Sequence, residues 1–549
     1  MSAFQRFDLD DSGPSPREIA QRWRDFHRRV RRHSTTPFAR VLGPLLGDDT
    51  RRRRWVERLR PAVPPPEVRS ENATTFPLNY VLVHPRIPTR FDTSGVDFVI
   101  LDSDEPEELH EKFRSALASA KEWILVVRAG DAHLEIAQNL LSAARSARAT
   151  TPDVIYADEV GDTPGLPLLK PPTIGPHSLL SYNVVGRPAL VRHEAARDAG
   201  GLRPEARRAG EHDFFLRLLE TGARFAHVAT VLPGRSSTER HHPALAEDTR
   251  RVVADALSRR GVESRVEVTA RPSVVSWSPL PHPWPRVDIV IPTRDRVDLL
   301  DQCVTSILAS TYPNFAVTIL DNDSVDPATL DYLATTPHRV ISCPGAFNYA
   351  AIINRGVAHC TGDFVVTLNN DTMVRTRDWL EQMVGVATLE DVSVVGVTLI
   401  DQSGHHEHDG IVIAPYPQHL RRGVNYLVED DYVLARRDVA AVTGAVQMFS
   451  RALYVELGGM DERLSVVMND VDLCLRSQSK DRHVVMLPDV VLSHFAGSTR
   501  GRLDPLVDRN FFVRRWDVFG SLTDPYFPQS LRLYGSRIDY LPAGDGLTP

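Results

Sequence analysis

The sequence is short of cysteine: four among 549 residues, Cys303, Cys343, Cys360 and Cys474, all in the second half and none in a C-x-x-C pair. That scatter argues against a disulfide framework or a sulfur-ligated zinc site and fits a reducing compartment. A strong charge of one sign is also missing. A net charge of -7 and a pI near 6.3 leave no overall electrostatic case for nucleic acid. No apolar run approaches a membrane span and no signal-peptide core opens the chain, so a soluble, cytoplasmic protein is expected. The sequons at Asn72 and Asn322 are then chance matches. No G-x-G-x-x-G follows a strand and no G-x-x-x-x-G-K-[ST] occurs, which argues against dinucleotide and P-loop sites.

What is present is ordinary globular material, 42% hydrophobic and 25% charged, and long enough for two or three domains. Residues 1–70 read as a basic leader. Basic residues outnumber acidic ones nearly three to one between Arg17 and Arg60. Arg17 to Arg32 suits a basic amphipathic helix that touches an anionic membrane surface or an acidic partner, or a solvated arm on the body. Pro61 to Pro66 reads as a stiff linker. Apolar runs then alternate with helical patterns over 75–270, and again over 286–520. A proline-rich linker is expected at 271–285 and a tail at 521–549. This is α/β grammar, with mostly parallel sheets expected.

The two halves match in order. Val96-Asp-Phe-Val-Ile-Leu-Asp-Ser-Asp104 has the pattern of Phe315-Ala-Val-Thr-Ile-Leu-Asp-Asn-Asp323. Val126 to Asp131 matches Val366 to Asp371. Arg187 to His193, then Gly200-Gly-Leu202, echoes Ala445 to Arg451, then Gly458-Gly-Met460. Glu211-His-Asp-Phe-Phe-Leu-Arg217 matches Asp470-Val-Asp-Leu-Cys-Leu-Arg476. Four matches in one order predict a duplicated α/β domain.

In the second half, polar clusters fall at strand ends, where ligands of open α/β sheets sit. Pro292-Thr-Arg-Asp-Arg296 follows one strand, and Asp321 and Asn322 follow another. Asn369-Asn-Asp371 ends the apolar run Phe364 to Leu368, although such residues also make simple turns and caps. Asp470 and Asp472 open a helix, and for Asp472 capping is the better account. His494 follows a later strand, with Asp371 as a candidate partner. The histidine-rich Gly404 to Gly410 reads as an exposed or structural loop rather than a metal site.

Together these segments resemble the inverting family-2 glycosyltransferases of the GT-A fold, especially two-domain bacterial proteins of surface-polysaccharide synthesis. The resemblance rests on Ile291 to Arg296, Leu320 to Ser324, Phe347 to Asn354, Leu368 to Thr372, Thr443-Gly-Ala445, Asn469 to Arg476, and His494 with Ser498 to Gly501. It implies a fold of two tandem GT-A-like domains, the first degenerate. It also implies that Pro292, Thr293, Arg294, Arg296, Asp321, Asn322, Asn354, Asn369 and Asn370 bind a nucleotide-sugar donor. Asp371 and His494 would hold a divalent cation, manganese or magnesium, against the pyrophosphate. Asn369 stands where the family's first metal-binding carboxylate usually is. Arg500 would clamp phosphate, and Asp470 would be the general base.

The acceptor implied is a glycan or lipid-linked glycan, with a protein acceptor left open, and so is a homo-oligomer. In the first half Asp131 and Glu211 fall where Asp371 and Asp470 sit, but Gly234 takes the place of His494. A non-catalytic copy is expected, with His241 and His242 as solvated loop histidines. A scaffold in which both copies have decayed is the competing reading. A sugar nucleotidyltransferase would want a glycine in the 292–296 loop.

Overall fold

The computed structural model describes residues 96–540, except 102–105, 120, 129–135, 138–139, 142–151, 161–166, 233–239, 415, 421–429, 496–504, 519–520, 530 and 535–536. The basic leader, the linker Pro61 to Pro66, Asp131 and Gly234 lie outside the described residues.

Two sheets carry the molecule. The first contains β1 (Val96–Leu101), β2 (Trp123–Arg128), β3 (Val154–Val160), β4 (Pro167–Leu168), β5 (Ala189–Arg192) and β6 (Phe225–Leu232), in the order β1-β2-β5-β3-β4, with β6 also on β3. A hairpin follows, β7 (Ser264–Val268) with β8 (Val275–Pro279). The second sheet opens with β9 (Val287–Thr293), β10 (Phe315–Asp321), β11 (Arg339–Ser342), β12 (Phe364–Leu368) and β13 (Thr372–Val374). It continues with β14 (Val392–Ile400) and β15 (His406–His408). After a small side hairpin of β16 (Ile411–Ile413) and β17 (Pro417–His419) come β18 (Arg437–Asp438), β19 (Val446–Ser450) and β20 (His483–His494). Its order is β11-β10-β9-β12-β19-β14-β20-β13, with β15 on β14 and β18 on β20.

The α/β expectation holds. Strands β11, β10, β9 and β12 are parallel neighbours, and β19 runs against β12. Val287, Ile289, Val290 and Ile291 of β9 and Val365, Val366 and Leu368 of β12 are fully buried. Such runs, apolar on both faces, suit central strands covered by helices on either side.

The same path runs through both sheets. The pairs β1–β2, β2–β5, β5–β3 and β3–β6 are parallel, antiparallel, antiparallel and parallel. The pairs β9–β12, β12–β19, β19–β14 and β14–β20 repeat that sequence. One expected match needs correction. β1 lies beside β2 as β9 lies beside β12, so Val96–Leu101 takes the place of β9 and not that of β10. Period-2 apolar patterns are interchangeable between neighbouring strands, and only pairing distinguishes them.

A second likeness lies in the helices Gly210–Glu220 and Asn469–Gln478. Asp213 pairs with Arg217 one turn on, and Arg217 donates to the carbonyls of Ala199 and Gly201. Asp472 pairs with Arg476, which donates to the carbonyls of Leu457 and Gly459 at 2.7 Å each. Gly200, Gly201, Gly458 and Gly459 all have positive φ, so both turns need glycine to present those carbonyls. Asp472 is therefore an ion-pair centre and not a helix cap: it also holds Arg515 and accepts from Trp516 Nε1 at 3.0 Å.

The expected linker 271–285 is not one. Within it β8 is a buried strand, and Trp277 is completely enclosed, donating from Nε1 to Ser181 Oγ at 2.9 Å. Arg436 is equally enclosed. It donates to the Trp277 carbonyl at 2.6 Å and pairs with Asp489. The start of the expected tail also packs inward: Phe527 and Leu531 join the main core, which spans both sheets. No helix among the described residues is long and apolar enough to cross a membrane.

Removing Asp472 would leave Arg476 and Arg515 buried without their carboxylate. Asp472→Ala is expected to cost about 3–5 kcal/mol, the usual penalty for stranding one partner of a buried ion pair. Urea unfolding followed by tryptophan fluorescence checks this, and an unchanged midpoint would remove Asp472 from the framework.

Candidate active site

The carboxyl ends of β9, β10 and β12 meet at one crevice, and hydrogen bonds link the loops that leave them. Thr293, at the end of β9, accepts at Oγ1 from Asn370 Nδ2 at 3.0 Å. The next residues turn sharply, with Asp295 and Arg296 both at positive φ. Asp295 Oδ1 accepts the backbone N–H groups of Val325 and Asp326 at 2.7 and 2.8 Å, which holds its carboxyl below the usual range. This ties the loop after β9 to the loop after β10. Arg294 is exposed, and Arg296 is exposed and paired with Asp298 at 2.8 Å. Pro292 is half-buried beneath them.

At the tip of β10, the Asp321 carboxylate accepts from the Ser324 N–H at 3.2 Å and is half-buried. Asn322 is buried, and its Nδ2 donates to the carbonyls of Cys343 and Gly345 at 2.8 and 3.1 Å. The Asn322 side chain thus shapes the loop after β11 through its amide nitrogen.

The turn after β12 is buried throughout, with Asn369, Asn370, Asp371 and Thr372 between 1% and 7% exposed. Asn369 N–H donates to the Ala445 carbonyl at 2.9 Å, and the neighbouring Gly444 N–H donates to Asp470 Oδ2 at 2.8 Å. The tripeptide Thr443-Gly-Ala445 therefore fastens the β12 turn to the first turn of the helix that carries Asp470. Asp470 is half-buried.

Asp371 and His494 are brought together by backbone register. β13 pairs with β20 antiparallel with Thr372 opposite His494, and the Phe495 N–H returns to the Asp371 carbonyl at 2.8 Å. His494 Nε2 then lies 3.5 Å from Asp371 Oδ1. Its other nitrogen, Nδ1, lies 2.9 Å from Glu407 Oε2. Burial alone would lower the imidazole pKa, but the two carboxylates outweigh it and raise it to about 9.

Glu407 is the residue that sequence reading missed. It lies on β15, inside the histidine-rich loop that looked structural. The signal that would have found it is alternation: on a strand its neighbours His406 and His408 point to the other face. There His408 is buried and meets His419, 2.9 Å between Nδ1 atoms, and His406 pairs with Asp409 at 2.8 Å.

Asn354, expected to line the donor pocket, spends its amide on the protein. Nδ2 donates to the Met460 carbonyl and Glu462, and Oδ1 accepts from Tyr454 Oη at 2.6 Å and the Met460 N–H at 2.9 Å. It locks the Gly458–Met460 turn. Arg500 lies outside the described residues.

Glu211, matching Asp470, is paired with Arg187 at 2.6 Å, and buried Glu159 takes Lys170 at 2.7 Å. His241 and His242 are not simply solvated: His241 meets Arg271 at 2.9 Å and His242 caps the helix Pro243–Arg259. The cavity lined by Trp284, Arg286, Asp363 and Arg482 is a separate feature, opening where β9 and β12 begin.

Residues 288–426 match the model of Glycosyl transferase family 2. This chain carries a family-2 glycosyltransferase domain. The match covers β9 to β17, and Asp470 and His494 lie beyond it on the same sheet and its helices. The chain is 30% identical over 409 residues to the O-antigen biosynthesis protein RfbC of Myxococcus xanthus, covering 69% of this chain and 31% of that protein. It is 28% identical over 211 residues to a pre-mycofactocin glycosyltransferase of Mycobacterium tuberculosis, covering 38% of this chain and 42% of that one. The chain thus spans well under half the length of these relatives. A mannosyltransferase from Pyrobaculum calidifontis, solved with GDP-Man and Mn2+, aligns at 22% identity and a TM-score of 0.30, over 42% of this chain and 61% of that one.

Asn354→Ala would leave the Tyr454 hydroxyl without its acceptor and the Met460 N–H with only its longer bond to Tyr454 Oη at 3.2 Å. A loss of about 2–3 kcal/mol is expected from these buried groups, with donor affinity unchanged. Denaturant titration and donor-binding calorimetry read the two effects separately, and weakened donor binding in a fully stable variant would return Asn354 to the pocket.

Proposed function

We propose that this chain is an inverting glycosyltransferase that moves a sugar from a nucleotide-sugar donor to a hydroxyl of a cell-surface polysaccharide or lipid-linked glycan. The observation that supports this best is the tripeptide Thr443-Gly-Ala445, which holds the Asn369–Asp371 turn and the Asp470 carboxylate as one unit. A proton acceptor thereby stands beside the turn assigned to the donor. The O-antigen name of one relative supports a glycan acceptor.

Asp470 is assigned as general base, taking the acceptor proton as the hydroxyl attacks the anomeric carbon. Its hydrogen bond from the Gly444 N–H orients the carboxylate. The loops carrying Pro292, Thr293, Arg294, Arg296, Asp321 and Asn322 are assigned to the nucleoside, and Asn369 and Asn370 to the donor's phosphate end. Arg500 is assigned to the leaving pyrophosphate on its sequence position.

The donor set fits a divalent cation. Asp371 Oδ1 and His494 Nε2 lie 3.5 Å apart, near the spacing of neighbouring ligands on one ion, with a carboxylate behind the imidazole, as ligating histidines usually have. Asp371 and His494 would hold it, and a mixed oxygen and nitrogen set suits manganese over magnesium. Such an ion supplies Lewis-acid stabilisation to a diphosphate leaving group. Glu407 keeps His494 Nε2 turned towards Asp371.

Asp470→Asn is expected to lower transfer by at least about 10²–10⁴-fold while nucleotide-sugar binding stays near wild type. A panel of UDP-, dTDP- and GDP-sugars with manganese, scored by thermal shift and then by transfer, supplies the donor. Wild-type turnover in the variant would remove the base assignment, and silence from every donor would favour a scaffold. Glu407→Gln should weaken manganese affinity about 10–100-fold in calorimetry without changing the fold. Unaltered affinity would mean that Glu407 orients nothing.

A further inference from the structure

At the far end of β20 from His494, a second cluster joins the two halves of the chain. His483 begins that strand and His494 ends it, so the two lie about 35 Å apart at the usual rise of a strand. His483 Nδ1 is 3.0 Å from Asp438 Oδ1, and His177 Nδ1, from the first half, is 2.8 Å from the same oxygen. His177 and Asp438 are buried and His483 is partly buried. The three ligand atoms all lie within 4.8 Å of one another.

The surroundings fix these atoms. Asp438 Oδ2 accepts the backbone N–H groups of His177 and Ser178 at 3.0 and 2.9 Å, and Ser178 Oγ at 3.2 Å, which leaves Oδ1 facing the imidazoles. Gly175 lets the helix come this close, since a Cβ there would fall 2.1 Å from Asp438 Oδ2. His177 Nε2 lies 3.4 Å from Asp391 Oδ1, a carboxylate on the second nitrogen of the ring. Tyr526 Oη is 3.3 Å from His483 Nδ1.

Both ion pairs of Asp438 are with imidazoles, and among the described residues no arginine or lysine pairs with it. A fully buried carboxylate needs positive charge, and here either protons on the rings or a metal ion must supply it. Two nitrogens and a carboxylate oxygen, with an outer carboxylate behind one ring, form the ligand set of a zinc-type cation rather than magnesium or calcium.

We propose that His177, Asp438 and His483 bind a zinc-type divalent cation that staples the first half of the chain to the glycosyltransferase half, separate from the ion assigned to Asp371 and His494. Its fourth position is open to water or Tyr526. The ion links three segments far apart in sequence, so it stabilises the seam and takes no part in transfer.

The full-length protein, stripped with chelator, reloaded with zinc and desalted, tests this by metal analysis. One equivalent is expected in the wild type and in an Asp371→Asn/His494→Ala double variant, and none in a His177→Asn/His483→Asn double variant. Loading the wild type with cobalt(II) should give the visible bands of a four-coordinate nitrogen and oxygen site, a readout that does not depend on any variant folding. Chelator should also lower the wild-type unfolding temperature. Wild-type protein that retains no zinc and shows no cobalt bands would overturn the proposal and leave a proton-filled charge cluster. Retention by a folded His177→Asn/His483→Asn variant would overturn it equally. Neither outcome depends on whether the glycosyltransferase reading stands, because metal content is read without turnover.

Discussion

The candidate active site depends on a backbone tripeptide more than on any side chain. Thr443-Gly-Ala445 offers one N–H to Asp470 and one carbonyl to Asn369, so a single stretch of main chain sets the spacing between them. Gly444 sits tightly there: a Cβ would stand 3.3 Å from the Asp470 Cβ and 3.4 Å from the Tyr349 hydroxyl. Tyr349 in turn donates to the Gly444 carbonyl at 2.7 Å. Positioning through main chain suits a reaction in which a small displacement of the base costs much of the rate.

Around this centre the structure uses carboxylates in two ways. Asp472 and Asp213 are consumed by arginines and hold helices to glycine turns. Asp470 is oriented by main chain, accepting the N–H groups of Gly444 and Val471 at 2.8 Å each. Glu211 has the same place in the first half but takes the Arg187 guanidinium. The two helices therefore place their matching carboxylates in different hydrogen-bonded surroundings.

The seam between the halves is built like a core and not like a linker. Trp277, Arg436 and the Asp438 cluster are all enclosed there, and the main apolar cluster runs across it. Residues that sequence composition assigns to a connector, Pro272 to Pro285, supply one of its buried strands. Proline density marks a break in helix and sheet, yet it does not report burial. Trp277 was the contrary signal, since a large apolar ring in a solvated linker is costly to expose.

The strands around Asp371 were legible because an apolar run that stops at polar residues is the local signature of a buried strand and its tip. The helix opening at Asp470, the family resemblance and the α/β class were legible for a similar reason: each rests on local pattern. The partners of these residues were not. Glu407 stood in a loop whose composition suggested only exposure, and strand pairing carried it to His494. Asn354 showed no sign in the sequence that its amide would be bonded to the Gly458–Met460 turn. β1 carried a pattern that fits two neighbouring strands equally well, and only its pairing with β2 chose between them. Sequence alone determined which groups reach the strand tips, because side-chain period and turn chemistry are properties of adjacent residues. Which of those groups face one another was decided by tertiary structure, since register, a close-packed glycine and buried charge pairing act between residues far apart in the chain.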